Sequence, residues 1–117
     1  MSKVKRIVTN ISTENIQQST LFYGEILGLD VLMDHGWIKT YGNDNQMQVQ
    51  ISVATEGGNG TPVPELSIEV EAIGELYEQM KTAGFEIVYP FTEEEWGGKR
   101  FFVKDPFGKI VNILQHI

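Results

Sequence analysis

Asn112 is the lone polar side chain in the apolar run "IVNIL" near the end of the chain. An amide there carries both a donor and an acceptor without a charge, so it suits a hydrogen-bonding role toward a ligand, or else pairing with its own neighbours. Other strand-like segments also divide into apolar and polar sets. In "MQVQISV" the apolar set Met47, Val49, Ile51 and Val53 alternates with Gln48, Gln50 and Ser52. In "ELSIEV" Leu66, Ile68 and Val70 alternate with Glu65, Ser67 and Glu69, while Arg6, Val8 and Asn10 share one face of "KRIVTNI". Period-two alternation places each polar set on one side of a strand, available to a ligand or to solvent. Aromatic residues add a second kind of chemistry. Trp37 lies in "GWIKTYG", and Trp96 lies in "TEEEWGGKRFF" shortly before Phe102. Gly97 and Gly98 would let Trp96 move, and the three glutamates before it would make the rim acidic. Aromatic walls with acidic edges suit a planar or cationic compound. The competing reading makes Trp37 core and the glutamates a solvated run.

Composition narrows the options. The chain has 117 residues with no cysteine and two histidines, which excludes a thiolate nucleophile, a disulfide framework and a Cys-based zinc site. A net charge of −7 opposes binding to a phosphate backbone, so nucleic acid is not an expected partner. The 41% hydrophobic and 21% charged content is that of one globular domain with a real core. No stretch has the length of a membrane helix, and the N-terminal residues lack the apolar core of a signal peptide. A cytoplasmic protein with no membrane partner is expected.

The elements that must hold these residues repeat. A strand at 4–11 precedes a helix near 13–27, with Ser12 or Thr13 as its cap and Gly28 as its stop, and three strands follow. After the connector "TEGGNGTPVP" come a strand, a helix near 73–83 that stops at Gly84, and three more strands. "GLDVLM" and "GFEIVY" correspond between the halves. The expected fold is α+β, a single domain over 1–117 made of two βαβββ modules, 1–57 and 62–117.

"FYGEILGLDV" together with "RFFVKDPFGKIVNIL" resembles the vicinal oxygen chelate superfamily of glyoxalases, bleomycin resistance proteins and extradiol dioxygenases. The resemblance covers almost the whole chain. It implies curled mixed sheets around a concave cavity, with the helices outside, and a homodimer. Metal-dependent members of that superfamily place His, Glu or Gln ligands on the first and last strand of each module. The matching positions here are Arg6 or Val8, Gln48 or Gln50, Glu65 and Asn112. Histidine is absent from all of them. Neutral amides are weak ligands and an arginine repels a cation, so no metal or other cofactor is expected; a metal, if bound, would sit on Glu65 with Gln50. His35 and His116 have no partner at a ligand spacing.

The favoured expectation is therefore metal-free binding of a small molecule, antibiotic-like compounds included, in a cavity of a homodimer. The ligand-binding candidates are Arg6, Val8, Trp37, Gln48, Gln50, Glu65, Trp96, Phe102 and Asn112. The alternative is a metal-dependent lyase, isomerase or dioxygenase with an atypical ligand set. A metal-independent enzyme with Glu65 or Glu69 as general base is a third reading, and the sequence leaves open whether any reaction is catalysed.

Overall fold

The computed structural model describes residues 2–43 and 50–116. The chain forms two compact units, one of residues 8–63 and one of residues 1–7 with 64–117. Strand β1 (Val4–Ser12) contributes to both, because the division falls between Ile7 and Val8.

In the unit of residues 8–63, β1 runs parallel to β4 (Gln50–Ala54), which pairs antiparallel with β3 (Ile38–Gly42), and β3 with β2 (Asp30–Asp34). The expected helix near 13–27 is not an α-helix. It consists of a 3-10 turn, Ile16–Gln18, and a π-helical segment, Thr20–Ile26. Asn15 caps the first, accepting from the Gln17 amide at 3.2 Å, so the cap lies later than Ser12 or Thr13. Gly24 lies over the fully buried ring of Tyr41, whose hydroxyl bonds the Ser19 hydroxyl at 2.9 Å, and Leu27 N–H reaches back to Phe22 C=O at 3.1 Å.

In the other unit the strand order is β5 (Leu66–Val70), β8 (Ile110–His116), β7 (Gly98–Lys104), β6 (Ile87–Glu93). β5 and β8 are parallel and the remaining pairs antiparallel. Helix α1 (Ile73–Thr82) lies on one face of this sheet. Ile73, Leu76, Tyr77 and Met80, three or four residues apart, meet Val70, Phe101, Val103, Val111 and Ile113. The helix begins where the Gln115 side chain accepts from Ile73 N–H at 3.1 Å. It ends as the sequence predicts: Gly84 at φ 87° lets Phe85 N–H return to Met80 C=O at 3.1 Å. Pro90 is tolerated inside β6 because that strand is the outermost of its unit.

Both units thus carry the βαβββ order with the first strand parallel to the last, the expected α+β architecture with a π-helical segment in place of the first α-helix.

Candidate functional site

Alternation sends Leu66, Ile68, Val111 and Ile113 toward α1, which leaves Ser67, Glu69, Asn112 and Leu114 on the opposite face of the 64–117 unit. Register aligns them. Ser67 pairs with Asn112, Asn112 with Phe102, and Phe102 with Tyr89, one continuous row across four strands. Two residues along each strand, on the same face, Glu69 pairs with Leu114 and Leu114 with Arg100.

Asn112 is buried, at 8% exposure. Its Nδ2 donates to Ser67 Oγ at 3.1 Å, while Oδ1 has no hydrogen-bond partner among the described residues. A buried carbonyl without a donor costs about 1–3 kcal/mol, so the position favours any molecule that brings an N–H or O–H group. Phe102, the next member of the row, is fully buried, with its ring 5.3 Å from that of Tyr89.

Arg100 anchors the neighbouring part of the face. Its guanidinium lies 4.9–5.1 Å from the ring centres of Trp96, Phe102 and Tyr89, and Nη2 is 3.0 Å from Glu94 Oε2. Tyr89 donates its hydroxyl proton to the other Glu94 oxygen at 2.9 Å. Arg100 and Glu94 are each 5% exposed, and such a desolvated pair holds because both ions are hydrogen-bonded and the rings add cation–π attraction. Sequence reasoning missed Glu94, Arg100 and Tyr89. The spacing from Glu94 to Arg100 across the "WGG" turn was the available signal.

The loop expected around Trp96 is a short turn. Strands β6 and β7 continue to Glu93 and from Gly98, leaving a four-residue turn closed by Glu94 N–H to Gly98 C=O at 2.7 Å and Gly97 N–H to Glu94 C=O at 3.1 Å. Nor is the rim a row of three free acids: Glu94 is neutralised by Arg100, with Glu93 and Glu95 exposed beside it.

At the β5 end of the face, Arg6 Nε donates to Glu69 Oε1, Lys5 Nζ lies 3.6 Å from Oε2, and Arg6 Nη2 donates to His116 Nε2 at 3.0 Å. Glu65 is exposed just ahead of β5, and its carboxylate accepts from Ile110 N–H at 2.8 Å.

Of the residues singled out from sequence, Arg6, Glu65, Trp96, Phe102 and Asn112 belong to this unit. Val8, Trp37 and Gln50 belong to the other one. There Val8 is buried at 5% exposure, Trp37 stacks on His35 with ring centres 6.3 Å apart, and Gln50 opens β4 opposite Gly42. Gln48 lies outside the described residues.

The donors on this face do not suit a divalent ion. Glu69 is engaged by two cations, Glu65 by a backbone amide, and Asn112 and Ser67 offer neutral oxygens. Among the described residues no group of three or more His, Asp or Glu side chains is placed to hold a metal. No described helix is long and apolar enough to cross a membrane.

The fold is shared with solved structures across nearly the full length. A structure titled NAD-dependent benzaldehyde dehydrogenase from Legionella pneumophila is similar at TM-score 0.76 and 16% identity, covering 96% of this chain and 100% of that one. A glyoxalase/bleomycin resistance protein/dioxygenase superfamily member from Vibrio splendidus 12B01 gives 0.68 and 18%, with 98% and 100% covered. Methylmalonyl-CoA epimerase from Mycobacterium tuberculosis gives 0.62 and 13%, with 97% and 87% covered. No curated protein matches the sequence. The family model described as Glyoxalase/Bleomycin resistance protein/Dioxygenase superfamily matches residues 4–113, and with its two βαβββ modules the chain belongs to that superfamily.

Proposed function

We propose that this protein binds a small molecule without a metal, on the polar and aromatic face of its 64–117 unit. The observation that carries the reading is the buried Asn112 Oδ1, left without a donor among the described residues, beside the Phe102 and Tyr89 rings. A matching ligand has a planar body for those rings and an N–H or O–H group for the amide oxygen. Glu94 and Glu69 are both matched by cations, so the acidic attraction that would favour a cationic ligand is weak. A neutral compound fits better.

The protein is also proposed to act as a homodimer. Leu21, Phe22, Ile26, Leu27, Val31 and Leu32, all in the 8–63 unit, are exposed large apolar side chains, and clusters of this kind mark association surfaces. A ligand-sequestering role of the bleomycin-resistance type would need no catalytic group.

A thermal-shift screen of small phenols, anilides and lactams in the presence of chelator tests the binding reading. A true ligand raises the melting temperature of the wild type increasingly with ligand concentration and leaves Asn112→Leu unmoved. Hits that stabilise both equally, or that need added zinc, manganese or iron, contradict it; the latter result would favour a metal-dependent enzyme of the same superfamily.

A further inference from the structure

The chain leaving β4 closes on itself in a tight turn. Gly57 N–H donates to Thr61 C=O at 2.7 Å, and Thr61 N–H returns to Gly58 C=O at 3.1 Å. A side chain at Gly57 would meet Pro62 C=O at 2.2 Å, so that corner admits only glycine. The two central residues of the turn, Asn59 and Gly60, have φ of 52° and 73°, the left-handed pair of a type I′ turn. Among the described residues Asn59 is the one non-glycine residue with positive φ. Both central residues are exposed.

Asn59 is also the one asparagine of the chain that glycine follows. Asparagine is chemically labile, and a following glycine has no side chain to shield the backbone nitrogen that attacks the amide. In that reaction the Gly60 nitrogen bonds to Asn59 Cγ, the Cγ–Nδ2 bond breaks, and ammonia leaves carrying the Gly60 amide proton. The cyclic imide left behind takes up water at one of its two carbonyls and opens to aspartate or isoaspartate. Here the attacking nitrogen is engaged: Gly60 N–H donates to Glu56 Oε1 at 2.9 Å. Attack requires that this bond be given up and that the proton be lost beside a carboxylate whose negative charge opposes the loss. The Thr61 hydroxyl, donating to Gly58 C=O at 2.6 Å, holds the same turn against the rotation that would bring nitrogen and Cγ together.

We propose that Asn59 is a self-modification site, converted to aspartate and isoaspartate by attack of the Gly60 nitrogen, and that Glu56 sets the rate by holding that nitrogen. The site is independent of ligand binding. Conversion adds a negative charge to the turn, and isoaspartate also inserts a methylene into its backbone. The result is a slow, one-way change in the segment that joins β4 to β5.

Peptide mass spectrometry combined with isoaspartate-specific methylation, on protein held at neutral pH and body temperature, tests the site. Folded wild type should convert faster at Asn59 than at any other asparagine, yet about tenfold slower than the same chain in urea, where the Glu56 contact is absent. Glu56→Ala should convert about tenfold faster than wild type, because a hydrogen bond to a charged acceptor no longer has to be broken. Glu56→Gln keeps an acceptor without the charge and should fall between the two; it decides the matter against the urea rate if Glu56→Ala does not fold. Equal or slower conversion in the Glu56 variants would overturn the proposal, since the carboxylate would then be a bystander or a base. So would equal rates in folded and urea-unfolded wild type, or no conversion in folded wild type and folded Glu56 variants while the unfolded chain reacts.

Discussion

Arg100 is surrounded by three aromatic rings and one carboxylate, which makes Glu94 costly to lose. Glu94→Ala would strand a buried guanidinium, and urea denaturation should show a loss of about 3–5 kcal/mol. Replacing both partners, Glu94→Leu with Arg100→Met, should cost far less, because no charge remains unpaired. Asn112→Leu should behave differently: it gives up one hydrogen bond to Ser67 but also removes an unmatched carbonyl, so stability should stay within about 1 kcal/mol of wild type while ligand binding is lost. These two sites were unequally visible in the sequence. The face of Asn112 follows from strand alternation, which is local. Glu94 looks like its neighbours Glu93 and Glu95, and what separates it from them is a partner six residues away across a hairpin turn, a spacing that singles it out only once the turn is known.

At the scale of elements, α1 and its stop were legible because their signals agree: apolar spacing of three and four, then a glycine in the left-handed region. Gly84→Ala should lower stability by about 1–2 kcal/mol, measured by thermal or urea melts, since its φ of 87° strains any side chain. The element before β2 was misjudged. Its apolar spacing suits an α-helix, but the segment takes the wider π-helical turn, with Gly24 beside the Tyr41 ring and Ser19 bonded to the Tyr41 hydroxyl. Helical periodicity marks the buried stripe without distinguishing the two hydrogen-bond patterns. The Trp96 hairpin turn is tighter than its two glycines suggest. Two glycines read as slack, yet Gly97 at φ 96° is what lets the tight turn close.

For the molecule as a whole, the repeated element order was readable from "GLDVLM" and "GFEIVY", and the family from motifs spread over both halves. The ligand was not readable, since a superfamily fold hosts unrelated activities and the site decides among them. Association should be seen by light scattering as a dimer at micromolar concentration, and Phe22→Ser with Ile26→Ser should shift it to monomer because those exposed side chains would lose their partner surface. Chelator should leave the melting temperature unchanged if no ion stabilises the folded state. The central claim, metal-free binding at Asn112, is tested most directly by the nitrogen-15 spectrum of the Asn112 side-chain amide during titration with a screened planar compound in chelator. The account predicts a saturable shift of that amide together with the backbone signals of Ser67 and Phe102. A ligand that binds with equal affinity while the Asn112 amide stays still, or that moves it only after a divalent metal is added, would contradict it.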